Sequence, residues 1–221
     1  MGGLRGAVVL AGGRSSRFGS NKALVKLKGR PLIDYVIRAA VKAANELVVA
    51  ISLDDDLSQY APLLPESARV VKDPGKIQSP LIGMLAGMKV LASKRAVVLP
   101  CDSPFINVGV LNRLFEICEA SDAAIPRWPN GYIEPLHSVY NVESAVPAIE
   151  ASIEAGELKV AMMIRRLRKV AYVPVDALKK YDPKLLTFLN VNTEEEVKKA
   201  ELIMHQFPDT PLSFPSLKLR N

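Results

Sequence analysis

The chain has 221 residues, 49% of them apolar and 24% charged, with a formal net charge of +6. That length suits one domain burying roughly 70% of its unfolded surface, so no disulfide or metal staple is required, and two cysteines without Cys-x-x-Cys or His-Glu-x-x-His spacing disfavour zinc chemistry. No apolar run approaches the roughly 20 residues of a membrane helix, the start lacks a signal-peptide pattern, and the basic residues are scattered while only 6% of residues are aromatic; the expectation is a cytoplasmic protein with no membrane or nucleic-acid partner.

Short β-branched runs alternate with longer amphipathic segments. Leu4 to Leu10 reads as a buried strand, Pro31 to Ala44 as a helix, and Glu46 to Ser52 and Ala68 to Lys72 as two further strands. A helix is expected over Pro80 to Ala92, a strand over Arg95 to Pro100, a helix over Val108 to Ala120 and a strand over Asp122 to Pro126. The second half is less regular, with strands predicted at Glu134 to Asn141 and Lys169 to Val175, and helices at Ser144 to Gly156 and Val160 to Leu167. The last helix, Thr193 to Gln206, opens on a capping box of Thr193 and Glu196. Such alternation predicts an α/β protein in three layers, a mostly parallel central sheet covered by helices on both faces. A single domain over residues 1–205 is expected, followed by an extended tail over 206–221 that carries three prolines.

Ligands of open α/β sheets bind outside the carboxyl ends of the strands, so the residues that follow strands matter most. After the first strand comes "AGGRSSRFGSNKAL", in which Gly12 and Gly13 permit a tight turn with N–H groups facing an anion. Arg14, Arg17 and Lys22 can then reach phosphate oxygens. A solvated turn or a nucleic-acid patch would use similar residues. The loop is not a Walker A loop and contains no G-x-G-x-x-G.

Asp102, in "VVLPCDSPFI", is placed to bind Mg²⁺ beside a phosphate loop, or else to cap the helix that follows. Asp73 could contact a base edge or ribose, or form an Asp-Pro turn. Asn190 and Asn192 fall on one face of an extended segment, where they could meet a ligand, or Asn192 could start the last helix. The basic run Ile164 to Lys169 is either a solvated face or an electropositive rim for a phosphorylated substrate. Cys118, in an apolar helical pattern, reads as core.

Taken in order, "LAGGRSSRFGSNK", "DPGKIQSPLIG", "PCDSPF", "IEAGELKVAMMIRRL" and "NVNTEEE" resemble the motifs of the nucleotidyltransferase family that includes molybdenum cofactor guanylyltransferase. The resemblance spans roughly Leu4 to His205. It implies a Rossmann-like fold of the nucleotide-diphospho-sugar transferase type. It also implies a Mg²⁺-dependent enzyme that transfers GMP from GTP to the phosphate of a molybdopterin-type acceptor, releasing pyrophosphate; other cofactor-assembly proteins are possible partners. Carried over, Leu10, Ala11, Gly12 and Gly13 would line the nucleotide, Lys22 and Arg17 would hold phosphates, and Asp73 would contact the nucleoside. Asp102 would bind Mg²⁺, and Asn190 and Asn192 would face the acceptor.

Several positions depart from the family pattern. Phe18 stands for Met, Asn21 for Asp and Ser79 for Gly, and "AISLDD" lacks an Asn on the guanine side. CTP on molybdopterin, GTP on another phosphorylated metabolite, and a non-catalytic nucleotide-binding regulator are the competing expectations.

Overall fold

The computed structural model describes residues 3–12, 21–73 and 79–206. Its strands are β1 (Arg5–Leu10), β2 (Lys26–Leu27), β3 (Arg30–Pro31), β4 (Glu46–Ser52), β5 (Arg69–Asp73), β6 (Arg95–Pro100), β7 (Ala123–Arg127), β8 (Ser138–Asn141) and β9 (Val170–Pro174). Its helices are α1 (Leu32–Ala43), α2 (Pro80–Lys89), α3 (Val108–Cys118), α4 (Val142–Glu154), α5 (Val160–Ile164), α6 (Val175–Leu178) and α7 (Glu194–Gln206). Seven strands form one sheet in the order β5-β4-β1-β6-β8-β7-β9. Only β8 runs against its neighbours, β6 and β7; the other pairings are parallel.

The uninterrupted apolar runs of β1 and β6 follow from burial on both faces, since successive strand side chains point to opposite sides. Ala7, Val9, Val97 and Leu99 pack with α1 and α3, whereas Val8 and Val98 pack with α2, α4 and α5. This is the predicted three-layer, mostly parallel α/β architecture. A smaller cluster joins the β2–β3 hairpin to α7 through Leu27, Leu32, Tyr35, Phe105, Val191, Ala200 and Met204.

Helix α2 lies so close to β1 that a Cβ built on Gly87 would come 2.5 Å from Val8 Cγ1. Val8 is β-branched, fully buried and central in the sheet, so it has no rotamer to escape into. Gly87→Ala is therefore expected to destabilise the fold by about 1–3 kcal/mol despite alanine's better helix propensity. Denaturant unfolding checks this; a stabilised variant would show that α2 can move away at no cost.

The structure departs from the sequence expectation in a few places. The strand expected over Glu134 to Asn141 begins only at Ser138. Residues 134–137 instead form a turn, in which the His137 N–H and the Ser138 hydroxyl both donate to the Glu134 carbonyl. Pro135 has no N–H to offer a ladder there. Helix α5 stops at Ile164, after which Arg165, Arg166 and Leu167 donate three residues back in a tighter turn. The β2–β3 hairpin and α6 are additions too short to leave a periodic signal. Helix α7 ends at Gln206, the first residue of the expected tail, and 207–221 lie outside the described residues. No helix among the described residues is long and apolar enough to cross a membrane.

Candidate active site

The carboxyl ends of β1, β4, β5 and β6 share one edge of the sheet, because these strands are mutually parallel and in register. Leu10, Ala11 and Gly12 leave β1 there. The Leu10 carbonyl accepts from Cys101 N–H at 3.1 Å, tying this exit to the one that carries Asp102. The N–H groups of Ala11 and Gly12 both donate to the Ala50 carbonyl, at 2.8 and 3.2 Å. This corrects the expectation for Gly12: its N–H is used by the neighbouring strand and does not face an anion. A Cβ here would sit a tight 3.1 Å from Ser52 Oγ and 3.2 Å from Ser52 N, a crowding that glycine avoids. Gly13, Arg14 and Arg17 lie outside the described residues.

Lys22 opens a short 3₁₀ turn, Lys22–Leu24, whose N-cap is Asn21. Asn21 Oδ1 accepts from Ala23 N–H at 3.1 Å, while the side-chain NH₂ donates to Asp55 Oδ1 at 3.0 Å and to the Tyr60 hydroxyl at 2.6 Å. Asp55 is locked in place by Ser52 N–H and the Tyr60 hydroxyl. An aspartate at position 21 would thus face a second carboxylate, which explains why this chain carries the amide. Asp55 is a site neighbour that the "LDDD" run hides among solvated acids.

The Lys22 ammonium, with its side chain only 15% exposed, forms an ion pair with Asp102 Oδ2 and donates to Asn192 Oδ1. Asp102 Oδ1 is buried and has no hydrogen-bond partner among the described residues. Three residues far apart in sequence therefore meet at one point. Asp102 does not cap α3; that cap is Asn107, whose Oδ1 accepts from Val110 N–H at 3.2 Å. Nor does Asn192 cap α7. Thr193 Oγ1 accepts from Glu196 N–H at 3.2 Å, and the Glu196 carboxylate reaches back to Asn192 N–H at 2.6 Å. The capping box read from the sequence thus also fixes Asn192.

Asn190 and Asn192 flank Val191, which is fully buried and donates its N–H to the Asp102 carbonyl at 2.9 Å. Asn190 is exposed, and its Oδ1 accepts from the Ser103 hydroxyl at 2.6 Å. Ser103 Oγ in turn lies 2.9 Å from His137 Nε2. Neither Ser103 nor His137 stands out in the sequence. The only available signal is that a histidine within an apolar segment must find a polar partner.

Asp73 ends β5 opposite Ser52, at the same sheet edge. Cys101 is buried, and burial, with Asp102 beside it, pushes its thiol up to about 12. It is a neutral packing residue, not a nucleophile. Cys118 is fully buried, as expected, with its thiol pushed up to about 11 by burial. The basic run before β9 lies at the opposite edge of the sheet, because β9 is parallel to β7 and β7 to β6. Arg168 and Lys169 are held there by Asp122 and form no rim for this site, while the Arg166 side chain is bound by Ser152 and Glu157.

Complete burial pulls the His137 imidazole down to about 3. Below pH 6.5 the unfolded chain therefore binds a proton at this residue that the folded chain does not, and stability falls with pH until about 3. From pH 7 to pH 5 the wild type should lose about 2 kcal/mol more than His137→Gln. Glu134, raised by burial, acts in the opposite sense, gaining stability as pH falls, but it is common to both proteins. Urea unfolding at the two pH values measures the difference; parallel losses would contradict a buried neutral imidazole.

A family model described as a MobA-like NTP transferase domain matches residues 7–170. A Methanosarcina mazei protein named a probable molybdenum cofactor guanylyltransferase is 32% identical over 199 residues, covering 88% of each chain. The crystal structure of molybdopterin-guanine dinucleotide biosynthesis protein A from Archaeoglobus fulgidus superposes with a TM-score of 0.76 at 31% identity, over 91% of this chain and 99% of that one. The 4-diphosphocytidyl-2C-methyl-D-erythritol synthase of Anaerococcus prevotii, at 14% identity and a TM-score of 0.70 over 92% and 97% of the chains, shares the fold.

Proposed function

The chain belongs to the MobA-like NTP transferase family of nucleotidyltransferases, and from that membership we propose that it transfers GMP from Mg·GTP to the phosphate of a molybdopterin-type acceptor. The observation that carries the reading is the meeting of Lys22, Asp102 and Asn192 at the carboxyl edge of the sheet. The acceptor is supported by the relatives' names together with the two asparagines beside Asp102.

The residues present fit a magnesium ion. Asp102 Oδ1 is a buried carboxylate oxygen with no partner among the described residues, and the other oxygen of that carboxylate is held by Lys22. Among the described residues no group of three or more His, Cys, Asp or Glu could hold an ion. The ligand set would thus be Asp102 with nucleotide oxygens and water, a pattern typical of Mg²⁺. When bound, the ion would neutralise charge on the triphosphate.

The side chains' own work is to bind and orient. Lys22 is poised to exchange its contact with Asp102 for a phosphate oxygen, delivering a point charge where negative charge accumulates. An oxygen of the acceptor phosphate attacks the α-phosphorus in line, forming a new P–O bond while the α–β bond breaks and its electrons leave with pyrophosphate. A phosphate monoester is largely ionised near neutral pH, so no side chain need remove a proton. Holding both reactants in line then supplies much of the rate enhancement.

Thermal unfolding with GTP, CTP, ATP and UTP, each with and without Mg²⁺, tests the nucleotide. At about 100 times its Kd, GTP with Mg²⁺ should add roughly 2.7 kcal/mol, a shift on the order of 5–10 °C. A shift with CTP alone would replace guanine by cytosine and leave the site intact. No shift with any nucleotide would overturn the proposal.

A further inference from the structure

Beside the reacting residues lies a buried polar chain that the transfer chemistry above does not use. It runs from buried His137 through buried Ser103 to the exposed Asn190, and the Trp128–Glu134 pair stands beside the His137 ring. Trp128 Nε1–H donates to Glu134 Oε1 at 2.7 Å. His137 is 2% exposed and Ser103 is 0% exposed. The ring of His137 stands edge-on to Phe188, with centroids 5.5 Å apart, and Phe188 stands edge-on to Trp128.

The direction of each hydrogen bond in this chain can be worked out. His137 Nδ1 is buried without a hydrogen-bond partner among the described residues, and Glu134 Oε2 is 3.8 Å away, beyond hydrogen-bond reach. An orphaned N–H is costlier than an orphaned lone pair, so the ring proton belongs on Nε2, where Ser103 Oγ can accept it. With that proton received, the Ser103 hydroxyl donates its own hydrogen to Asn190 Oδ1. The carbonyl end of the Asn190 amide is then committed inward, and its NH₂ group turns outward. Asn192 is committed the same way, its Oδ1 held by Lys22.

We propose that Ser103 and His137 are positioning residues that fix the Asn190 amide with its NH₂ group outward, so that Asn190 and Asn192 together offer hydrogen-bond donors to the phosphate of the acceptor. The transfer reading above supplies the acceptor; the hydrogen-bond direction stands on this structure alone. A pair of donor-only groups suits a phosphate, which is all acceptors, and repels a ligand that presents only donors. The interaction is specific to the acceptor, because the nucleotide's contacts at Lys22 and Asp102 do not pass through this chain.

Two arms test it. The first is ¹⁵N NMR of histidine-labelled protein at pH 7, with His137 assigned by comparison with His205→Gln. A neutral ring protonated on Nε2 is expected. Protonation on Nδ1 would mean that Ser103 donates to His137 and that Asn190 is turned around, which overturns the proposal whether or not the enzyme transfers GMP. The second arm is steady-state kinetics with GTP and molybdopterin. Ser103→Ala and His137→Leu should each raise the acceptor KM about tenfold and leave the GTP KM within about twofold, while His137→Gln, which keeps an N–H donor, should be close to wild type. Equal changes in both KM values, or none, would reduce Ser103 and His137 to core packing. A wild type without turnover would refute the transfer reading, and the NMR arm would still decide the hydrogen-bond direction.

Discussion

Asp102→Asn is expected to lower turnover with GTP, Mg²⁺ and acceptor by about a thousandfold, equivalent to about 4 kcal/mol of transition-state stabilisation. The amide is nearly isosteric and its oxygen can still accept from Lys22, so the fold and the Lys22–Asn192 contact should survive. What disappears is the charge, and with it the carboxylate oxygen that has no partner among the described residues. Nucleotide binding measured without Mg²⁺ should therefore change little, while the increment of affinity that Mg²⁺ adds should vanish. If Asp102 served only to hold Lys22, the amide would support near-normal turnover, and the ion pair would be structural.

Lys22→Met should be nearly as damaging, with kcat/KM reduced about 10²–10³-fold. Methionine keeps the unbranched stem in a site where only 15% of the lysine side chain is exposed, but it removes the charge shared by Asp102 and Asn192. Two consequences separate this from a folding defect. GTP affinity should fall even where the thermal midpoint is unchanged, and Lys22→Arg should rescue poorly, because a planar fork does not replace a compact ammonium between two acceptors. Wild-type GTP affinity in a correctly folded Lys22→Met protein would remove Lys22 from the phosphate site.

Much of this was legible beforehand, for physical reasons. The strands of the central sheet are apolar on both faces, so β4 and β6 could be read off to the residue. The capping box of Thr193 and Glu196 announced α7 because capping follows a local, short-range rule. Asp102 and Asn192 were visible as polar residues just past apolar runs, and Lys22 as a cation in a glycine-bearing loop, yet their alternatives could not be dismissed from spacing. Only the folded chain shows that Asn107 caps α3 and that Asn192 is spared by the Thr193 cap, leaving Asp102 and Asn192 to meet Lys22.

What stayed hidden depended on long-range pairing. Gly12 looked like a glycine for an anion nest, but its N–H belongs to Ala50 on the neighbouring strand. Arg168 and Lys169 looked like part of a rim for phosphates until the strand directions put them at the far edge of the sheet. His137 and Ser103 left no trace because their partnership spans 34 residues and has no fixed spacing. Asn21 looked like a lost charge and is instead the donor that lets Asp55 and Tyr60 sit beside the lysine turn.

The most direct test is to incubate the purified protein with Mg²⁺, α-³²P-labelled GTP and molybdopterin, and to follow the label and pyrophosphate together. The account predicts label in a pterin guanine dinucleotide and one pyrophosphate released per product, both abolished in Asp102→Asn. Binding of GTP with no transfer and no pyrophosphate, in the presence of a competent acceptor, would contradict it.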